Sequence, residues 1–227
     1  MGITRRYLKW TDLPAKIPVF PLGGAILLPR ASLPLNIFEP RYLEMIDYAI
    51  SGDRIIGMIQ PRVNSGETQS PEGKSVPLKS SGCAGRLTAF SETEDDHVLI
   101  TLIGISRFEI KGEEDTEAPF RICEASFAPF ADDLVHDVGS DDVDPDHLLE
   151  VLKTYLKVHD LQADWQGIHR SSSEFLVNTL SVISPYGPEE KQALLEAVDL
   201  KTRAEVLIAL AEMDIASRGD GSGTTLQ

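Results

Sequence analysis

The first half of the chain contains short runs that are either apolar or alternate apolar and polar positions, and both patterns are typical of β-strands. The clearest example is residues 32–37, where Leu33, Leu35 and Ile37 alternate with polar residues or proline. Further strands are predicted over 17–22, 54–60, 83–90, 98–110 and 121–127. Gly104, inside the longest of these runs, predicts a bulge or a sharp bend. Short strands at irregular spacing favour a small, strongly bent sheet or barrel.

Helical spacing interrupts the strands once and then dominates the second half. Pro40 suits a first helical position, and apolar residues follow it at intervals of three and four. Further helix starts are predicted at Asp144-Pro145, at Ser171 with its capping-box Glu174, at Gly187-Pro188 and at Asp199. The pattern therefore predicts a β-rich part with one inserted helix, followed by a bundle of about four helices.

These elements predict an α+β chain in four parts. The β-rich domain is expected over 15–130, an acidic linker over 131–146, the helical bundle over 147–215 and a disordered tail over 216–227. Residues 63–75 lack an apolar period and are expected to form a long exposed loop.

Charge is unevenly distributed along the 227 residues, which carry 21 basic and 36 acidic side chains and a formal charge of −15. Residues 1–90 carry 11 basic and 7 acidic side chains (+4), residues 91–150 carry 3 and 18 (−15), and residues 151–227 carry 7 and 11 (−4). Such a field repels phosphate backbones and disfavours nucleic acid as a partner, although the first segment keeps RNA binding open as an alternative. No run of apolar residues is long enough to span a membrane, and no membrane partner is expected.

The cysteine content and the N-terminal sequence indicate where in the cell the protein is located. Only Cys83 and Cys123 are present, which favours two buried thiols in a reducing compartment and leaves one disulfide as the alternative. The basic N-terminus followed by an apolar run over 17–29 resembles a signal peptide, but three prolines interrupt the run and no Ala-x-Ala site follows. A cytoplasmic location is therefore expected.

Catalytic and metal-binding motifs are absent from the sequence. There is no phosphate-binding loop, no Gly-x-Ser-x-Gly elbow, no His-Glu-x-x-His pair, and no His within ligand spacing of a Cys or another His. The sequence therefore predicts no catalytic residue, no metal and no cofactor. The alternative is a small-molecule-binding protein or enzyme with a pocket between the domains, using Glu39 and Arg41; the favoured interpretation is that these two side chains stabilise the start of a helix.

Six motifs in order resemble the N-terminal substrate-binding domain of the ATP-dependent Lon protease. They are Pro18-Val-Phe-Pro-Leu22, Pro34-Leu-Asn-Ile-Phe-Glu-Pro-Arg-Tyr-Leu43, Gly57-Met-Ile, Gly82-Cys-Ala-Gly-Arg86, Gly104-Ile-Ser-Arg-Phe108 and Glu190-Lys-Gln-Ala-Leu-Leu-Glu196. The resemblance extends from about Ile17 to about Leu210. It implies a PUA-like β-rich domain before a helical bundle, and binding of unfolded or tagged protein substrates.

The resemblance also sets expectations about activity and partners. Full Lon proteases continue into an ATPase module and a Ser–Lys protease domain, whereas this sequence ends at Gln227 with neither. It is therefore expected to be a stand-alone, non-enzymatic binding module without ATPase or peptidase activity. Unfolded client segments are the expected partners and a separate protease is a further candidate; the oligomeric state is not predicted.

Candidate binding residues are those that cluster as apolar and aromatic side chains in the motif region. The peptide-binding candidates are Leu27, Leu28, Pro29, Arg30, Phe38 and Tyr42, with core packing as the alternative role for most of them. The motif residues Glu39, Arg41, Gly82, Gly85 and Arg86 are expected to be structural. The acidic linker is expected to attract basic clients, which would make binding dependent on salt.

Overall fold

A computed structural model describes residues 7–62, 76–95 and 97–220. The strands are β1 (Lys16–Pro21), β2 (Ser32–Ile37), β3 (Ile55–Pro61), β4 (Leu78–Glu92), β5 (Val98–Glu113) and β6 (Arg121–Ser126). The helices are α1 (Pro40–Ser51), α2 (Pro145–Val158), α3 (Trp165–Arg170), α4 (Ser173–Ile183), α5 (Pro188–Glu196) and α6 (Leu200–Asp220). The α+β class, the single inserted helix and the C-terminal helices are confirmed.

The strands form one mixed sheet that bends back on itself. Their order is β2-β5-β4-β3-β1-β6, and β6 also pairs with β5, so the long strand β5 closes the sheet into a barrel. The β1–β3 pair is parallel and the other pairs are antiparallel. Among the described residues β2 pairs with β5 alone, so its other edge remains open.

The segment before β2 forms a bulge opposite Gly104. The N–H of Arg30 donates to the carbonyl of Gly104 at 2.8 Å, and the N–H of Gly104 donates to the carbonyl of Ala31 at 2.9 Å. Arg30 and Ala31 thus lie opposite the single residue Gly104, which is the arrangement of a β-bulge. Arg30 takes the left-handed conformation (φ 66°) that this kind of bulge requires. A Cβ on Gly104 would lie 1.9 Å from the carbonyl oxygen of Leu28, so the close approach requires glycine.

The sheet and the helices share one hydrophobic core. Leu27 and Leu28, in the segment between β1 and β2, pack in the same cluster as Val177, Leu194 and Leu207 of the helical half. Polar contacts cross the same boundary, since the Arg30 guanidinium pairs with Glu174 and Asn178 Nδ2 donates to the Pro29 carbonyl at 3.1 Å. The segment before β2 is therefore the joint between the two halves.

Three local predictions need correction. The predicted linker over 131–146 contains 3-10 turns at Ala128–Leu134 and Ser140–Asp142 and the start of α2, because Asp133 is buried against Arg107. Residues 216–220 of the predicted disordered tail continue helix α6, while 221–227 and the predicted loop 63–75 lie outside the described residues. Helix α4 is capped by Ser172, whose Oγ accepts from the Phe175 N–H, and not by Ser171.

The two cysteines are free and buried, 40 residues apart in sequence on β4 and β6. Burial raises the pKa of the Cys83 thiol far above its usual range and raises that of Cys123 to about 11. Both sites therefore disfavour the reactive thiolate. Within the described ranges, no helix has both the length and the apolar character that a membrane span requires.

Both thiols are expected to be protected from Ellman's reagent in the native protein. Because Cys83 and Cys123 are fully buried, modification requires local opening, which should slow the reaction by more than roughly 100-fold relative to the protein in denaturant. The time course of thionitrobenzoate release measures both rates. Rapid modification of one thiol in the native protein would show that its strand opens readily and would contradict this packing.

Candidate polypeptide-binding surface

Large apolar side chains are exposed on both faces of the sheet at its open end. We call Pro34, Phe38, Phe90, His97 and Leu99 the strand-edge surface. Phe38 is 60% exposed, Leu99 is 48% exposed and Phe90 is 42% exposed. Clustered exposed aromatic and aliphatic side chains of this size mark interaction surfaces in soluble proteins.

The backbone of β2 supplies hydrogen-bonding groups beside these side chains. Because the Ala31–Gly104 pair is hydrogen-bonded, the alternation of an antiparallel ladder directs the backbone groups of Leu33, Leu35 and Ile37 towards β5. The residues between them face the open edge. Pro34 therefore falls at an outward position, where its missing N–H costs the ladder nothing. The edge offers short stretches of donors and acceptors to an added strand.

Phe38 is held outside the core by its neighbours. Ile37 before it is buried, and Glu39 after it precedes the first turn of α1. The Phe38 ring lies 5.4 Å from the His97 ring, and Asn36 Nδ2 lies 3.2 Å from His97 Nδ1. These contacts fix the exposed ring against the turn between β4 and β5, so little side-chain freedom remains to be lost on binding.

Two shallow hollows flank Phe90. One, of about 280 Å³, is bounded by Leu43, Asp47 and His97, and the other, of about 340 Å³, by Pro34 and Leu99. Phe90 borders both hollows. The register pairs Phe90 with Ile100 and Leu99 with Ser91, so the two hollows lie on opposite faces of the sheet. Successive side chains of an extended segment alternate between the two faces, so two neighbouring apolar side chains of one segment suit the two hollows.

Acidic side chains border the first hollow. Asp47 and Glu92 line it, and Asp95 lies 3.8 Å from His97. A hydrogen bond from Thr93 holds the pKa of Asp95 below its usual value, so this carboxylate stays ionised at neutral pH. The rim therefore favours segments that carry basic side chains near their apolar ones.

Most of the predicted peptide-binding residues lie elsewhere. Leu27, Leu28 and Pro29 are buried in the joint between sheet and helices, and Tyr42 is buried with its ring 4.3 Å from that of Phe20. Arg30 is engaged with Glu174 and the Asp133 carbonyl. The apolar run that looked like a surface in the sequence is the contact between the two halves, and Phe38 alone of the six belongs to the strand-edge surface.

The five motif residues expected to be structural make internal contacts. A Cβ on Gly82 would lie 2.5 Å from the Met58 carbonyl oxygen, and one on Gly85 would lie 2.5 Å from Leu27 Cδ2. The remaining contacts are polar: Arg86 Nη1 donates to the Tyr7 hydroxyl at 3.1 Å, and Arg41 Nη2 lies 2.7 Å from Glu39 Oε2.

The alternative functions find less support. A cavity of about 210 Å³ does lie between the halves, but its polar walls include Arg107, Asp133 and Arg203, whereas Glu39 and Arg41 pair with each other at the surface. Within the described part of the chain, no three His, Cys, Asp or Glu side chains are grouped as metal ligands. Several cations of the sheet half are paired with carboxylates, which weakens their attraction for RNA; these pairs are Lys16–Glu114, Lys79–Glu189 and Arg121–Glu113.

The sequence did not identify three residues of the strand-edge surface: Pro34, Phe90 and Leu99. Leu99 lies in the continuous apolar run 98–100, where Val98 and Ile100 are buried and Leu99 points out. A continuous apolar run conceals which face is covered. The alternation of β2 could have indicated that Leu99 is exposed. In the register of β2 with β5, Leu99 lies opposite the exposed Asn36, and opposite residues share a face.

The structure thus combines an α+β barrel, a helical bundle packed on it, and an apolar patch beside an open strand edge. The sequence profile of the ATP-dependent protease La (LON) substrate-binding domain matches residues 16–212. The chain therefore belongs to the Lon substrate-binding domain family.

The individual relatives are longer proteins, each matched by this chain over only part of its length. The chain is 26% identical over 196 residues to Lon protease of Desulfosudis oleivorans, covering 84% of this chain and 23% of that protein. It is 25% identical to Lon protease 2 of Myxococcus xanthus, covering 88% of this chain and 24% of that protein. The chain thus spans about a quarter of the length of the curated relatives it matches.

Solved structures share the fold. A Lon N-terminal domain protein from Xanthomonas campestris superposes with a TM-score of 0.57 at 20% identity, covering 86% of this chain and 97% of that one. The N-terminal domain of Mycobacterium avium complex Lon protease superposes with a TM-score of 0.62 at 19% identity, covering 87% and 98%.

Proposed function

We propose that this chain is a non-enzymatic module that binds extended, apolar segments of client proteins on the strand-edge surface. The observation that carries the proposal is the exposure of Phe38, Phe90 and Leu99 beside the open edge of β2. Membership of the Lon substrate-binding domain family supports the same role, since the family is described by substrate binding.

Binding on this surface would combine two kinds of contact. The outward backbone groups of β2 hydrogen-bond the client main chain, which gives affinity for any extended sequence. The hollows beside Phe90 take apolar side chains, and the carboxylates of Asp47, Glu92 and Asp95 favour basic neighbours. Pro34 limits the length of strand that can be added, so the edge binds short segments and resists pairing with long ones.

Partners and location follow from this role. Unfolded client proteins are the proposed ligands, and a separate protease that receives them is a second proposed partner. The two free, buried thiols support a cytoplasmic location, where cysteines remain reduced. No ATPase or peptidase activity is part of the proposal.

The double substitution Phe38→Ser/Leu99→Ser is expected to weaken peptide binding by at least about tenfold. These exposed side chains supply much of the apolar contact, whereas removing them leaves the buried core intact. The probe is a fluorescein-labelled extended peptide that alternates phenylalanine and lysine, and fluorescence anisotropy measures its dissociation constant.

A higher salt concentration is expected to weaken binding of this peptide to the unsubstituted chain, because the rim of the first hollow is acidic.

Val198→Ser provides the matched control. Val198 is exposed on the helical half, so its loss changes surface hydrophobicity without touching the strand-edge surface. Its dissociation constant should match that of the unsubstituted chain, and all three proteins should melt within a few degrees of one another. Equal binding by the double variant would show that another surface is used, and no binding by the unsubstituted chain would refute polypeptide binding.

A further inference from the structure

The helical half contains an apolar cavity that is separate from the strand-edge surface. It has a volume of about 230 Å³ and lies between α2, α4 and α6. Its walls are almost wholly aliphatic, and include Leu152, Leu180, Leu207 and Ala211. The space opens to solvent on one side, and an apolar cleft of this size marks an interaction site rather than a packing defect.

One end of the cavity is polar. Its lining there includes His159, Ser184 and Tyr186, and the ring of Tyr155 stacks on that of His159 with centroids 4.2 Å apart. His159 Nε2 lies 2.5 Å from Asp214 Oδ2, which fixes the orientation of the imidazole. A space with aliphatic walls and hydrogen-bonding groups at one end has the character of a small-molecule site.

The charge near the polar end of the cavity determines whether a neutral or an anionic ligand head is favoured. Burial raises the pKa of Tyr186 to about 12, with a smaller contribution from the nearby Asp214 carboxylate. The carboxylate that disfavours a Tyr186 phenolate would also disfavour an anionic ligand head in the same place. Arg218 contacts Asp214 at 3.5 Å, but its side chain is largely in solvent and compensates this charge only weakly.

Size sets the length of the ligand. At about 30 Å³ for each water-sized group, 230 Å³ accommodates roughly eight methylene-sized groups. We propose that this cavity binds a small uncharged amphiphile, with an apolar body of about that length and one hydroxyl or amide head beside His159 and Tyr186. The site is independent of the strand-edge surface, and its test stands whether or not client binding is found.

The test compares 1-octanol with octanoate, which share the body and differ in the charge of the head. Ligand-observed NMR titration of the full chain is expected to show 1-octanol binding at least about tenfold more tightly than octanoate, the effect of one pKa unit of interaction. Asp214→Asn retains an acceptor for His159 and removes the charge. It is expected to strengthen octanoate binding and to leave 1-octanol binding within about twofold.

A substitution that fills the cavity tests whether 1-octanol binds there. Ala211 lines it and is buried on α6, so Ala211→Leu should abolish 1-octanol binding without lowering the melting temperature. Ala209→Leu adds the same side chain to the exposed face of the same helix and should leave binding unchanged.

Several outcomes would overturn the proposal. Octanoate binding as tightly as 1-octanol would contradict the charge argument, and 1-octanol binding retained in Ala211→Leu would place the ligand elsewhere. If 1-octanol does not bind and Ala211→Leu instead weakens binding of the fluorescein-labelled peptide, the cavity accepts an apolar side chain of a polypeptide and the small-molecule proposal is wrong.

Discussion

Gly104→Ala is expected to lower the free energy of unfolding by at least about 3 kcal/mol. The added Cβ would lie 1.9 Å from the carbonyl oxygen of Leu28, far inside contact distance. Neither side of this contact can move freely. Gly104 is hydrogen-bonded to Arg30 and Ala31 in the segment before β2, and Leu28 is fully buried between the sheet and the helices. Urea denaturation followed by circular dichroism measures the loss.

Gly112→Ala is the matched control on the same strand. The nearest atom to its added Cβ is a Glu124 side-chain oxygen at 3.9 Å, which is ordinary contact. The expected change is within about 0.5 kcal/mol in either direction. Similar stabilities for the two variants would show that the bulge at Gly104 relaxes easily and is not what joins β5 to the segment before β2.

Arg107→Met is expected to cost about 3–5 kcal/mol, because it leaves a carboxylate buried without its cation. Arg107 and Asp133 are both nearly inaccessible, and the guanidinium contacts both carboxylate oxygens at 2.9–3.3 Å. Its Nη1 also donates to the carbonyls of Leu195 and Ala197 at 3.2 and 2.6 Å. One side chain therefore ties β5 to the 3-10 turn that contains Asp133 and to the end of α5.

The matched controls separate this charge effect from simple loss of an ion pair. Arg41→Met removes an exposed pair with Glu39 and should cost no more than about 1 kcal/mol. The double variant Arg107→Met/Asp133→Leu removes both buried charges and should recover part of the loss seen in Arg107→Met. No recovery would show that the carbonyl contacts of Arg107, and not the unpaired Asp133 carboxylate, account for the destabilisation.

Both predictions concern the joint between the two halves, which the sequence only partly indicated. Glycine inside the long apolar run predicted a bend at Gly104, since few other reasons place glycine in a strand. Nothing local identified its partner at Leu28, 76 residues earlier in the chain. Arg107 and Asp133 likewise lie 26 residues apart, and in the sequence Asp133 looked like one more carboxylate of a solvated acidic linker.

The strand-edge surface, too, was only partly indicated by the sequence. Phe38 was identified in the sequence because it belongs to a cluster of apolar and aromatic residues, and it is exposed. Leu27 and Leu28 looked equally available, but the helical half covers them. Phe90 and Leu99 were not identified, because the exposed face of a strand depends on which strands and helices cover the other face.

Local pattern by itself determined the strands, the inserted helix, the helical second half and the family. Alternation, Pro40 at a helix start and the N-cap at Asp144 act within a few residues, and their energetics do not require the rest of the fold. Only the tertiary structure decided which apolar residues are core, which carboxylate is buried, and where β2 leaves an edge open. Those properties depend on contacts between residues distant in sequence, because burial is set by what packs against a side chain and not by the side chain alone.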